Sequence, residues 1–400
     1  MGPRSVAASI AALAVAVTAV AATPARGPAA VPSRIHPPLL AQGTAVSSPA
    51  GPAAVIATGP GGFDAGDLFG GYDDRAVVVG TRGSYRTVRH LNGFDAGESV
   101  LLSPDGRRVA GDWGLESSWR DGLGDAATTV VDLSSGRVLA YRAGVPVAWF
   151  PDGSRLLTTT GALHVLDLAT GAVTDLGIPH APTNGAAVAL SPDGRRAVVQ
   201  SWPTLSVLDL DTRQLRTLAV LDERRTLAGP GAWTADGRIA TWRCTPSCRN
   251  VPRVDLALSY LDAGSGTDVD GPAVRLDGVA GARLLGHRRD GDALVVRYRD
   301  TATPVDSTPP LLGQPDVTAP PTGHPEVVAL RPAGATVLVR LPEAADRVDL
   351  ARDLFERFGA DPPSAPARLL DWMRPHTGAL LLLLLGAALV HTRRVIRDSR

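Results

Sequence analysis

Two cysteines, Cys244 and Cys248, stand four residues apart in Cys-Thr-Pro-Ser-Cys, and they are the only thiols in the 400-residue chain. In an oxidising compartment that spacing closes a small disulfide loop. Tetrahedral zinc would need two more ligands, and no His lies close by. The eight His, at 36, 90, 164, 180, 287, 324, 376 and 391, form neither a His-Glu-x-x-His nor a His-x-His pattern. No Gly-x-Ser-x-Gly elbow is present, and every basic residue is Arg. The lack of Lys excludes a Walker-type phosphate loop, a Schiff-base enzyme and a Ser-Lys hydrolase, each of which needs an amine at the site. Asp262–Gly271 places acids at calcium-like intervals but lacks a terminal bidentate Glu, so it reads as a polar hairpin. Basic and acidic residues balance at 40 each, which leaves no basic face for nucleic acid. No catalytic residue, cofactor or metal is expected, and the chain reads as a non-enzyme.

The elements that carry these residues are repeats. With 43 Gly and 33 Pro and few aromatic residues, the composition favours many short strands joined by turns over a helix bundle. One motif recurs as Leu102-Ser-Pro-Asp-Gly-Arg-Arg-Val109, Phe150-Pro-Asp-Gly-Ser-Arg-Leu156, Leu190-Ser-Pro-Asp-Gly-Arg-Arg-Ala197 and Trp233-Thr-Ala-Asp-Gly-Arg-Ile239. Its aspartates, Asp105, Asp152, Asp193 and Asp236, are 47, 41 and 43 residues apart, and a degenerate copy follows at Asp290-Gly291. In the turns Pro104-Asp105-Gly106, Pro151-Asp152-Gly153 and Pro192-Asp193-Gly194 Pro presets φ, and in these and in Asp236-Gly237 Asp tolerates the next position and Gly supplies the left-handed one. A second motif, Val131-Asp-Leu-Ser-Ser-Gly136, Leu166-Asp-Leu-Ala-Thr-Gly171 and Leu208-Asp-Leu-Asp-Thr-Arg213, marks another hairpin in each unit. The once-per-unit recurrence of Asp132, Asp167 and Asp209 points to a structural turn-capping role.

Four short strands in a unit of this length make a propeller blade. The repeats resemble the WD-repeat-like blades of the Tol-system periplasmic propeller family, which share the Ser-Pro-Asp-Gly-Arg/Lys hairpin. The resemblance covers roughly residues 70–342 and implies an all-β propeller; it does not imply one function, because such blades serve scaffolds, peptidase caps and binding proteins. Six blades result if Val327–Leu341, as the first two strands of a blade, pairs with Arg75–Leu91 as the last two. Seven is the alternative, if each end builds its own blade.

The termini set the expected compartment. Residues 1–21 have the positive start, apolar middle and small-residue cleavage site of a signal peptide. Residues 22–69, rich in Ala, Pro and Gly, read as a disordered linker. Within 343–375, Asp349–Gly359 spaces Leu350, Leu354, Phe355 and Phe358 as an amphipathic helix would, followed by a linker. Residues 376–392 read as a transmembrane helix and 393–400 as an Arg-rich cytoplasmic tail. Pro375-His376-Thr377-Gly378 also matches all but the first position of a Leu-Pro-x-Thr-Gly sorting signal, with Arg374 in place of Leu, so wall attachment is an alternative.

The expectation is therefore a single-pass, membrane-anchored, extracytoplasmic propeller that binds an envelope protein or a ligand. Trp113, Trp119 and Trp202, near strand ends, are the candidates for partner contact. The alternative is a hydrolase or lyase with its site in the central channel.

Overall fold

The computed structural model describes residues 29–38, 42–58, 76–81, 83–88, 100–113, 127–179, 187–248, 253–299, 324–342, 345, 347–361 and 364–373, with positions 386, 390 and 393. Each repeat is one antiparallel four-stranded sheet, and six such sheets form the blades of a propeller. Blade 2 comprises Leu101–Leu102, Arg108–Trp113, Ala127–Asp132 and Val138–Tyr141. Blade 3 comprises Val145–Trp149, Arg155–Thr159, Ala162–Asp167 and Val173–Pro179, and blade 4 Val188–Leu190, Arg196–Ser201, Thr204–Asp209 and Leu215–Val220. Blade 5 comprises Arg225–Leu227, Arg238–Thr245 and Val254–Asp262, its outermost position divided between Asp268–Val269 and Arg275–Val279. Blade 6 comprises Gly281–His287, Ala293–Arg299, His324–Arg331 and Gly334–Arg340.

Chain order within a blade runs from the channel outward, and burial follows it. In blade 4 the innermost strand is wholly buried, whereas the outermost is mostly exposed, with Val220 at 73%. The inner strands carry Val, Leu and Ala on both faces because adjacent blades stack face to face and leave neither side to water.

Blade 1 closes the ring from both ends of the propeller. Its innermost strand is Arg347–Leu350, and Ala53–Thr58, Ala76–Gly80 and Tyr85–Val88 complete it. The seam ladder pairs Val55 with Leu350, Ile56 with Asp349, Ala57 with Val348 and Thr58 with Arg347. Six blades stand, but the seam is one strand plus three and not the expected two plus two: Val327–Leu341 supplies the outer two strands of blade 6. The expected linker over 22–69 likewise gives way, because Ala53–Thr58 is a fully buried strand. Both of its faces are packed, so it shows no alternation and a reading of composition alone takes it for low complexity.

Residues 349–359 do not form the expected amphipathic helix. The chain leaves the seam strand at Leu350, makes a short 3-10 turn over Arg352–Leu354 and then a strand, Phe358–Ala360, that pairs in parallel with Val31–Pro32. Leu350, Leu354 and Phe355 are buried against the ring rather than along one helix face.

The N-terminal segment covers sheet edges that flank the seam. Ile35 donates its amide to Arg340 O (2.8 Å) and Ser33 O accepts from Arg340 (3.0 Å), so the segment caps the outer strand of blade 6. Further on, Ala45 donates to Thr87 O (2.9 Å) and Gly43 O accepts from Thr87 (3.1 Å), capping blade 1. Covering such edges removes unpaired backbone groups that would otherwise template aggregation.

The helix Ala365–Met373 follows. Among the described residues no helix is long and apolar enough to cross a membrane. Of the expected span 376–392 only Gly386 and Val390 are described, both helical, and the signal segment 1–21 lies outside the described residues.

Ile56, fully buried in the seam, provides the test of this closure. Ile56→Ala is expected to lower unfolding free energy by about 2–5 kcal/mol, whereas Val220→Ala on the exposed rim stays within about 0.5 kcal/mol. Urea unfolding measures both.

Candidate functional site

Strand order gives the ring two unlike faces. The third-to-fourth strand turns of all six blades, and the first-to-second turns of blades 2 to 6, lie on one face, the turn face. The remaining connections emerge on the other, the connection face.

The repeated aspartates build the turn face. In the Ser-Pro-Asp-Gly turns the Asp side chain accepts from inside its own turn. Ser103 Oγ donates to Asp105 Oδ1 (2.7 Å) and Arg107 N does the same (3.0 Å). Asp193 repeats this with Ser191 and Arg195, and Asp236 is held by Thr234. Asp152 lacks the preceding hydroxyl and is held instead by Ser154, whose amide donates to it (3.0 Å). The left-handed Gly106 (φ 71°) does a second job, since a Cβ there would overlap the Ala53 carbonyl at the junction of blades 1 and 2. The second motif caps identically each time: Asp132, Asp167 and Asp209 each accept two amides and one hydroxyl. Asp262 is a fourth copy, accepting from Gly264 N, Ser265 N and Ser265 Oγ, so the calcium-like stretch is a hairpin of the same kind.

These bonds stabilise the charged carboxylates. The Thr170 hydroxyl and then its amide hold Asp167 below the usual carboxylate range; the Thr212 amide does the same for Asp209 and the Ser265 amide for Asp262.

Residues 351–356 cross the channel mouth on the turn face. Asp353 N donates to Pro104 O in blade 2 (3.0 Å), while Arg352 Nη2 donates to Pro230 O in blade 5 (3.3 Å). Blades 2 and 5 oppose each other in a ring of six, so neighbouring residues tie down opposite sides of the mouth. Glu356 Oε1 accepts from Arg289 N of blade 6 (2.7 Å), and the Phe355 ring packs on Gly286. Below the crossing, fully buried Arg283 of blade 6 donates to Val348 O of the seam strand (2.6 Å), and Asp349 Oδ2 accepts from Leu102 N of blade 2 (3.0 Å). Arg283, Asp349, Arg352 and Glu356 thus tie the ring together at this end of the channel.

One titratable pair escaped the motif reading. Tyr260 OH lies 3.4 Å from His287 Nε2 between blades 5 and 6. Burial pushes Tyr260 up to about 12 and His287 down to about 4, with Arg238 further disfavouring the imidazolium. Arg238 stands over the Tyr260 ring (4.9 Å to centroid), and the ring lies so close to Gly271 that a Cβ there would overlap it. The neutral pair is thus walled in. It was findable: His287 stands three residues before Asp290, where the other copies have Leu102, Trp149, Leu190 and Trp233.

The connection face brings two expected features together. Cys244 and Cys248 form a disulfide, with Cα atoms 5.1 Å apart. Cys244 N and Cys248 N donate to Arg224 O and Glu223 O (both 2.8 Å), in the segment leading into blade 5. The same segment begins with Leu221, whose amide donates to Pro203 O (2.8 Å) in the blade 4 turn that carries Trp202. A continuous backbone ledge therefore joins Trp202, 37% exposed, to the disulfide loop, with Val220 exposed beside it. Trp113 ends the second strand of blade 2 on this face, and Trp119 lies outside the described residues.

No family model matches the chain, and no curated protein matches it. Among solved structures it is similar to hydrazine synthase of Kuenenia stuttgartiensis (18% identity, 62% of this chain and 66% of that one, TM-score 0.38). It is also similar to TolB of Acinetobacter baumannii (14%, 71% and 74%, TM-score 0.36) and to a putative TolB of Agrobacterium tumefaciens (16%, 52% and 76%, TM-score 0.35). At these values the likeness carries nothing about activity, and the six-bladed architecture rests on the sheet topology itself.

Two pH dependences follow. Carboxylates with depressed native pKa values contribute stability that is present above the unfolded value near about 4 and lost as pH falls through the native one. Replacing Asp167, Asp209 and Asp262 together by Asn should therefore lower the thermal midpoint at neutrality, where the charged caps contribute, and shrink the difference from the parent as pH falls below about 4. His287 acts in a different window. Below about pH 6.5 the unfolded chain takes up its proton first, so stability falls between there and about pH 4. His287→Leu should abolish that decline, about 2–3 kcal/mol by urea titration.

Proposed function

We propose that the chain is an exported, membrane-anchored β-propeller that acts as a protein-interaction module at the cell envelope, docking its partner on the connection face across blades 4 and 5. The observation that carries this reading is the ledge, in which an exposed Trp and an exposed Val are mounted on backbone tied to a disulfide loop. Large apolar side chains held rigid lose little entropy on binding and are the usual anchors of interfaces. The disulfide suits an oxidising compartment. The sequence of residues 1–21 and 376–400 supports a signal peptide, a single span and a cytoplasmic Arg tail, with the propeller on the extracytoplasmic side. The alternative, a hydrolase or lyase working in the channel, has less support, because residues 351–356 cross one mouth and the polar groups beneath it are occupied by ring contacts.

Photo-crosslinking in intact cells tests the reading. A crosslinker at Trp202 should capture one dominant envelope protein. Val220→Asp should abolish that capture without lowering the thermal midpoint. Capture no stronger than that of a tail-only control, or equal capture from a turn-face position such as Arg137, would overturn it.

A further inference from the structure

The turn face holds a cleft that the docking reading does not use. It lies between blades 3 and 4 and has a volume of about 430 Å³, within the range of small-ligand sites. Half-buried Val165 and Leu210 give it apolar surface backed by buried Phe150 and Leu176, and Arg155, Arg195 and Arg213 stand around it with Asp193 and Asp211. Arg155 is stacked over the Phe150 ring, 4.1 Å from its centroid. Neither Arg195 nor Arg213 places its guanidinium in an ion pair among the described residues. Asp193, by contrast, is already engaged by Ser191 and the Arg195 amide.

Arg213 is also out of place in its backbone. It is the only described non-glycine residue with positive φ (60°), at a turn position that Gly136, Gly171 and Gly266 fill in the other copies. A side chain there costs about 1 kcal/mol or more relative to Gly. Such an outlier, retained where the repeat shows the unstrained choice, indicates that the guanidinium itself is used.

We propose that this cleft binds an amphipathic monocarboxylate, its carboxylate held between Arg195 and Arg213 and its apolar body laid on Val165 and Leu210. Three guanidiniums against two carboxylates leave one positive charge, which matches a monoanion; a dianionic phosphate would face Asp193 and Asp211 uncompensated. The planar guanidinium suits a carboxylate's two oxygens. The carboxylate can come from a free organic acid or from the C-terminus of a peptide ending in an apolar residue. The site is on the face opposite the ledge, so its failure and that of the docking reading are separate results.

Calorimetric titration of the full-length protein with hexanoate, hexanol and hexyl phosphate tests this, alongside a hexapeptide ending in Leu with its C-terminus free or amidated. Hexanoate or the free peptide should bind with a Kd of about 1 mM or tighter; hexanol and the amidated peptide should not, and hexyl phosphate should bind more weakly. Arg213→Gly restores the repeat's own residue, so it should leave the thermal midpoint unchanged or raised while weakening binding about tenfold. Arg195→Gln, at an ordinary backbone position, should weaken it similarly. Binding of the free peptide alone assigns the carboxylate to a chain end, and binding of hexanoate alone assigns it to a small acid; either supports the site. Hexanol binding as well as hexanoate, tighter binding of the phosphate, indifference to both Arg variants, or no binding of any carboxylate overturns it.

Discussion

The whole ring depends on one backbone ladder, in which Arg347–Leu350 pairs with Ala53–Thr58. Without it blade 1 has no innermost strand, blades 6 and 2 lose a neighbour, and the sheet edges that a closed propeller removes are open again. The surroundings of the ladder serve it. Arg283 reaches from blade 6 to the seam strand, and Asp349 reaches from that strand to blade 2. The N-terminal segment then closes the outer edges of the two blades beside the seam. Buried charge is costly unless paired or fully hydrogen-bonded, and here it is placed where geometry must be unique.

Away from the seam, the molecule repeats one small device many times. An aspartate that caps its own turn needs no partner from another blade, so each turn is held from within. Departures from the device stand out for that reason. Arg213 replaces a glycine, His287 and Tyr260 replace apolar residues, and the outer strand of blade 5 breaks in two beside them. The connection face follows the opposite logic. Its loops differ from blade to blade, which is how a common scaffold acquires an individual binding surface.

The architecture was legible because its turns are local: Pro, Asp and Gly in fixed order act within a few residues, and so does the Cys-x-x-x-Cys loop. The seam was less legible because it is non-local. Ala53–Thr58 shows no alternation, since both of its faces are buried, and it sits among Pro and Gly that suggest a linker. Leu350, Leu354 and Phe355 fall at helical spacing by coincidence; what they cover is a ring mouth assembled from blades distant in sequence. The ledge joining Trp202 to the disulfide could not be read for the same reason, because its links are backbone bonds between connections. His287 and Arg213, however, were visible to a position-by-position comparison of the repeats.

The one-plus-three seam also sets the order in which the molecule can become itself. Three strands of blade 1 pair with one another early, but their inner edge must wait for a strand roughly 300 positions later in synthesis. Blades 2 to 6 are built from contiguous sequence and carry no such delay. Folding is thus divided into fast local steps and one slow, long-range closure of high contact order. During that interval the inner edge of Ala53–Thr58 is an open, apolar sheet edge, the kind of surface that templates aggregation until the last propeller strand covers it.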